Sequence, residues 1–403
     1  MTAGHRIVDP DEGRSALLDR WRASKSKRER DSGQYQKNAG YAIRKWAEWL
    51  DEAEGIVDVE DVTVPVLRRW ARDELGARVR ADEIAASTAH RYYAYVSAFL
   101  TWCVREQLIA TNPADTNEAQ EELPADASTN SQKNQNIWTP EHRQQIMRHA
   151  DERAAAAIDE EGTDASKPVR DRVLVAMLAY SGARAAELLR DPDDAREGRQ
   201  GVTWGDVHTG PGPGTILAHD DSDALLERDW TVDVLGKSGE MEDLPVGGRA
   251  YRPLLQWARV QNPPSEGWPL FPTAHAPTLH DNARTVLHER GFDEAEINEM
   301  LDEAAIEDVH REHEIAPPAL TTNGARAVMK RLSEEAGIDA VNGEYLKPHG
   351  GRRGLGDTLY REQGSEAAQH ALRHADPAVT SQAYQYIETR ESVADIDAAT
   401  EDE

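Results

Sequence analysis

The stretch ADTNEAQEELPADASTNSQKNQN, residues 114–136, most constrains how this 403-residue chain can fold. It is polar, holds a proline and has almost no large apolar side chain. Such a segment cannot bury enough surface to order itself and reads as a flexible linker. The chain is therefore expected to divide into a unit over residues 14–113 and a larger one over 137–390, followed by an acidic tail over 391–403. Each unit is long enough for its own core.

The first unit reads as helical. In AGYAIRKWAEWLDE the residues Tyr41, Ile43, Trp46, Trp49 and Leu50 recur at helical spacing. DVTVPVLRRWARDEL opens with Thr63 as a cap and Pro65 in the first turn. STAHRYYAYVSAFLTWCVREQLI carries Tyr92, Val96, Phe99, Leu100 and Cys103 on one broad face, and Asn112–Pro113 stops it.

The second unit opens with helices. TPEHRQQIMRHADE has Thr139 as cap and Pro140 at the first helical position, and PVRDRVLVAMLAYSG is an apolar helix ended by Gly182. GVTWGDV, GTILAHD and RDWTVDVLGKSGEMEDLPV show the alternation and glycine-bounded turns of hairpins. Residues 276–316 form a very acidic stretch, expected to be a helical insertion. Helices then resume. The fold class is mainly α with a small antiparallel β-sheet.

The charge is unusual. There are 74 acidic against 46 basic residues, a formal net of -28, and of the basic ones only nine are lysine. An acid-rich, lysine-poor surface suits a cytoplasm of very high salt, where self-repulsion is screened. We read an extreme halophile, in which net charge says little about partners and local charge says more. No run approaches the roughly 18 apolar residues of a membrane helix. The N-terminus lacks a signal-peptide core, and the single Cys103 rules out an intrachain disulfide. The expectation is a soluble cytoplasmic protein.

Local charge departs from the average between Arg20 and Lys45, where Lys25, Lys27, Arg28, Arg30, Lys37 and Arg44 lie among few acids. Arg68, Arg69, Arg72, Arg78, Arg80 and Arg91 follow, with Tyr92, Tyr93 and Tyr95. Either a phosphate-facing surface or a solvated helix face with intrahelical pairs produces this pattern. We take Lys25, Lys27, Arg28, Arg30, Lys37, Arg44 and Arg91 as the candidate DNA contacts. His310 and His313, three apart among acids, are read as a solvated helix face and not as metal ligands.

Four stretches of the second unit carry chemistry in a fixed order. YSGARAAELL places Arg184 at a helix start with Glu187 one turn on. DVLGKSGEMEDLPV places Lys237 in a hairpin turn. KPHGGRRGLGDTLYREQG sets His349 and Arg352 on one helix face, with Gly350 and Gly351 leaving room for a ligand. ALRHADPAVTSQAYQYIETR holds His374, Thr380, Tyr384 and Tyr386.

Arg, hairpin Lys, His-x-x-Arg, then His and a late Tyr resemble the tyrosine recombinases of the phage integrase family over nearly the whole chain. PHGGRR is similar to that family's H-x-x-R box, and LRHADPAVTSQAY to its L-G-H…T…Y box. Arg373 stands where the pattern has glycine, and the residues after Lys237 are acidic where it often has arginine. The resemblance implies a helical, SAM-like core-binding domain followed by an α+β catalytic domain. It implies double-stranded DNA as partner, a tetramer on DNA, and strand exchange through a 3′-phosphotyrosine without metal, ATP or other cofactor.

In the roles it implies, Arg184 and Arg352 clamp the scissile phosphate and His374 bonds a non-bridging oxygen. His349 accepts the phenol proton, Lys237 protonates the leaving oxygen, and Glu187 orients its neighbours. Tyr384 lies ten positions after His374 and Tyr386 twelve. The family's nucleophile follows nine or ten after this histidine, which implies Tyr384. On a helix Tyr386 would point about 200° away. A type IB topoisomerase shares the chemistry, and a non-catalytic DNA-binding protein on the same scaffold is the remaining alternative.

Overall fold

The computed structural model describes residues 5–8, 16–25, 34–125, 137–194, 196–209, 229–339, 344–374, 376 and 384. GTILAHD, Lys27, Arg28, Arg30, Thr380, Tyr386 and the tail 391–403 lie outside the described residues. The chain divides into two compact units, Met1–Lys133 and Asn134–Glu403.

In the first unit, α1 (Ala16–Lys25), α2 (Gln34–Trp49), α3 (Val64–Arg69), α4 (Gly76–Arg80) and the long α5 (Ala86–Arg105) enclose an aromatic core. Trp21, Ile43, Trp46, Leu50 and Phe99 are fully buried. Tyr41, expected on the apolar face of α2, is instead 48% exposed, because Ile43 and Trp46 take the buried positions and turn it outward. The unit also begins before residue 14. Ile7 is buried and its N–H donates to Val57 O (3.1 Å), while Arg6 pairs with Asp58.

The stretch expected to be linker starts as folded structure. Pro113–Asp115 forms a 3-10 turn and α6 spans Asn117–Gln120. Asn112 Oδ1 and Thr116 Oγ1 accept the backbone N–H groups of Ala114 and Ala119, and both alanines are fully buried. Small residues between two capping side chains seat this turn without any large apolar group, which is why it reads as linker.

The second unit is built on α8 (Ser166–Tyr180), which packs against α7 (Pro140–Glu161), α10 (Gly248–Gln261) and α15 (Pro348–Gln363). Residues 173–179 of α8 are all buried, so this helix is apolar on every side and needs neighbours all round. Thr139 Oγ1 caps α7 by accepting from His142 N (3.2 Å).

The sheet is antiparallel, in the order β1 (Val207–Thr209), β2 (Trp230–Leu235), β3 (Met241–Pro245). Trp230, Val232 and Val234 face inward, and Trp230 stacks on Tyr251 at 5.0 Å. Most of GVTWGDV is not strand: Asp206 accepts the Thr203 N–H (2.7 Å) and winds Trp204–Asp206 into a 3-10 turn before β1 begins.

The acidic insertion is helical, with α11 (Ala276–Glu289), α12 (Glu294–Glu303) and α13 (Ile306–Glu312) around a core of its own that includes Leu279, Leu287, Ile297 and Val309. Its two ends are held together by the Pro272–Ala319 bridge, with Thr273 N donating to Pro318 O (2.9 Å) and Leu320 N to Phe271 O (2.7 Å). His310 is not on the solvated face expected of it. It is buried, with its ring nitrogens 2.8 Å from Ile315 O and 3.1 Å from Leu279 O, while His313 meets the edge of Phe292. After α14 (Thr322–Glu335) and α15 the described chain continues into α16 (Ser365–Leu372).

Candidate active site

The site forms where three segments meet. The first is the turn after α8. Gly182, at φ 71°, ends that helix, and Arg184 starts the short α9 (Ala185–Leu188). Glu187, fully buried, accepts the Arg184 N–H (2.8 Å) and its Nη1 (2.6 Å). Burial pushes the Glu187 carboxyl up, but these bonds and the Arg373 cation outweigh it and hold it below the usual range.

The second segment is α15, where Pro348 fills the first turn and His349 and Arg352 follow. Gly351, expected to leave ligand room, instead serves packing, as does Gly354. A Cβ on Gly351 would lie 2.2 Å from Leu178 O, and one on Gly354 2.0 Å from Trp138 O. Gly350 O accepts the Trp138 N–H (3.1 Å). Helix α15 thus touches α8 backbone to backbone, and this brings Arg352 to the turn at Gly182.

Arg352 is buried, 3% exposed, and its two Nη atoms donate to Gly182 O and to Leu372 O. One guanidinium therefore joins the Arg184 turn, the His349 helix and the end of α16, two residues before His374. Burial and the nearby Arg184 push it down to about 10, so it remains a cation at neutral pH.

The third segment carries Arg373, His374 and Tyr384. His374 is half-buried, and its N–H donates to Gln369 O (3.1 Å). Loss of hydration, then Arg352 and Arg184, pushes its ring down to about 4. His349 has an edge open to solvent, yet desolvation in the cleft and then Arg353, Arg352 and Arg184 take it to about 4 as well. Both rings are neutral at pH 7.

Tyr384 is 4% exposed and packs on Tyr360 at 5.4 Å. Its hydroxyl fills the notch at Gly356, where a Cβ would lie 1.9 Å away, one helical turn beyond Arg352. It donates to Arg353 O at 3.5 Å. Burial raises the phenol to about 12 against the pull of Arg352 and Arg353.

The structure thus brings Arg184, Glu187, His349, Arg352, His374 and Tyr384 together. Lys237 is exposed on the β2–β3 turn, with no ion pair among the described residues. Sequence reasoning missed three contributors. Arg353 adds a cation next to Arg352, Gly356 makes the phenol's notch, and Arg373 pairs with Glu187. The doubled arginine of PHGGRR was the available signal for the first.

On the first unit, most of the basic residues are ion-paired. Arg68 meets Glu118, Glu121 and Glu122; Arg69 meets Glu54; Arg72 meets Asp73; Arg78 meets Glu74 and Glu83. Arg44 and Arg91 are exposed and have no ion pair among the described residues. Arg44 comes three residues after Tyr41 on α2 and Arg91 just before Tyr92 on α5, and the two tyrosine rings meet edge-on at 6.2 Å. Lys37 lies on the same helix as Arg44, and Lys25 ends α1.

No family model matches the chain. Solved structures similar to it include the XerH site-specific recombinase bound to palindromic difH substrate in a post-cleavage complex. The TM-score is 0.54 at 13% identity, covering 91% of this chain and 80% of that one. A lambda integrase dimer bound to a COC' core site gives 0.53 at 14% identity, over 91% and 76%. The fold is therefore the one these integrases and recombinases share.

Among curated proteins, tyrosine recombinase XerC of Mycobacterium sp. (strain JLS) is 28% identical over 257 residues, 61% of this chain and 68% of the relative. XerC of Mycobacterium sp. (strain KMS) is 28% identical over 242 residues, 58% of this chain and 63% of the relative. The matches thus span about two thirds of these relatives' length. The chain is thus similar in sequence to these tyrosine recombinases and shares the fold of the integrases and recombinases above.

Proposed function

We propose that this protein cuts and rejoins double-stranded DNA at a specific site through a 3′-phosphotyrosine intermediate, without metal or ATP. The observation that carries this reading is the buried Arg352, whose bonds to Gly182 O and Leu372 O join the Arg184 turn, the His349 helix and the segment leading to His374, with the Tyr384 hydroxyl one helical turn on at Gly356. Two neighbouring arginines suit the non-bridging oxygens of a phosphodiester, and would supply the charge stabilisation that Mg²⁺ gives elsewhere.

The Tyr384 oxygen attacks phosphorus as the bond to the DNA 5′-oxygen breaks. The phenol proton passes to His349, which is neutral at pH 7 and gains basicity once an anionic phosphate lies beside it. His374 bonds a non-bridging oxygen. Lys237, on its hairpin, protonates the leaving 5′-oxygen. Attack by a second 5′-hydroxyl reverses the step, so no external energy is consumed.

The first unit contributes the grip. Arg44 and Arg91, with Lys37 and Lys25, are the candidates to contact phosphates. Assembly is a tetramer on two duplexes, and the acid-rich composition belongs to a cytoplasm of very high salt.

The test is trapping. The protein is incubated in high potassium chloride with nicked suicide duplexes from its genomic neighbourhood, and denaturing gels are run for a covalent adduct. An adduct lost in Tyr384→Phe and kept in Tyr386→Phe supports the reading. DNA binding with no adduct from any form overturns it in favour of a non-catalytic role.

A further inference from the structure

Arg373 follows α16 with φ 52° and ψ 48°, a left-handed conformation that glycine adopts freely and arginine does not. A strained residue kept at a site calls for a compensating interaction. The side chain supplies two. Its Nη2 donates to Glu187 Oε2 (2.5 Å), and its Nη1 to Glu242 Oε2 (2.9 Å).

The two carboxylates belong to different parts of the site. Glu187 is the buried group that also holds Arg184. Glu242 is on β3, opposite Val234, and its carboxylate lies across the backbone of Gly236, where a Cβ would come within 1.9 Å of Oε1. Gly236 is the residue before Lys237. A second tie runs parallel: Arg199 donates to Gly236 O (3.0 Å) and to Ala186 O (2.7 Å). The base of the Lys237 hairpin is therefore fastened to the segment that carries Arg184.

We infer that Arg373 is a positioning residue that keys the Lys237 hairpin to the Arg184–Glu187 pair, so that the hairpin tip and the phosphate clamp hold one register. The inference rests on the proposed function only for the roles of Lys237 and the clamp; the mechanical link stands on the geometry. The planar fork matters here. Its two Nη atoms serve two carboxylates at once, which a single ammonium cannot match. The acidic residue after the hairpin turn and the arginine before His374 form one matched pair, so the two departures from the recombinase pattern have a common explanation.

The test uses the full chain with Glu242→Gln, which weakens the Arg373 tie to the hairpin and leaves the three hydrogen bonds of Glu187 and the Arg199 tie in place. Hydrogen exchange by mass spectrometry is read over residues 230–245, and single-turnover adduct formation and DNA affinity are read in parallel. Exchange of the hairpin amides is expected to rise roughly ten-fold, as for loss of one charge-assisted hydrogen bond. Adduct formation should slow while the Kd for DNA is unchanged. Arg373→Lys should show the same rise in hairpin exchange with wild-type melting.

Hairpin exchange equal to wild type in Glu242→Gln overturns the link. Faster exchange with an unaltered adduct rate overturns the positioning role. If wild type itself forms no adduct, the recombinase reading falls, and the exchange data still decide the link.

Discussion

Arg352 ties two buried carbonyls and, in the proposed reaction, also holds the phosphate, so one substitution should remove both. Its removal leaves Gly182 O and Leu372 O without their donors, and buried unpaired carbonyls cost on the order of 1–3 kcal/mol each. Arg352→Ala should therefore lower the melting temperature as well as abolish adduct. Tyr384→Phe should abolish adduct with a stability change under about 1 kcal/mol, since it removes only the long bond to Arg353 O. Denaturant melts beside the trapping gels check both.

The two histidines set a pH dependence. Folded, His349 and His374 are held near 4, whereas an unfolded histidine titrates near 6.5. Above the unfolded value neither state binds these protons. Between 6.5 and 4 the unfolded chain takes up protons that the folded site refuses, so stability falls with pH across that window and levels off below it. His349→Gln and His374→Gln should each flatten the fall, measured as denaturation midpoints from pH 7.5 to 4.

The candidate residues that the fold brings together were legible from sequence because phosphate chemistry calls for these residue types, and their order along the chain is distinctive. The Arg373–Glu187 pair was not, since it joins residues 186 positions apart and only the fold brings them together.

At the scale of elements, α15 is placed by what it lacks. A methyl group at Gly351 or Gly354 would press into the backbone at Leu178 or Trp138. Gly351→Ala and Gly354→Ala should each destabilise by at least the roughly 1–3 kcal/mol typical of overpacking, visible in thermal melts, and slow adduct formation as Arg352 shifts. Helices were readable from their period: Ile43, Trp46 and Leu50 keep the expected face. Tyr41 and most of GVTWGDV were misread for local reasons. An aromatic residue at the edge of an apolar stripe can turn outward, and the Asp206–Thr203 cap winds what looks like strand into a turn. Glycine carries no record of the atom it approaches, so the packing role of PHGGRRG was invisible.

For the whole molecule, charge is the dominant variable. A formal net of -28 means strong self-repulsion at low ionic strength, which salt screens within a few ångströms at molar concentrations. The melting temperature should climb as potassium chloride is raised from about 0.1 to 2 M, a range over which the Debye length falls from about 10 Å to below 3 Å. A flat or falling profile in calorimetry would count against the high-salt origin. Each unit has its own core, so residues 1–133 alone should give a helical circular dichroism spectrum and a cooperative melt.

The short bridge between Pro272 and Ala319 has one more implication. It closes the chain beneath α11, α12 and α13, and those helices keep their apolar contacts largely to themselves. A segment that leaves and re-enters a fold at one point is a detachable cassette. Its two ends being adjacent, it can be shortened or replaced without rethreading the chain once the Arg311 bonds to Gln261 O and Asn262 O are given up, and it offers a place to graft a tag at a distance in sequence from Arg184 and Arg352.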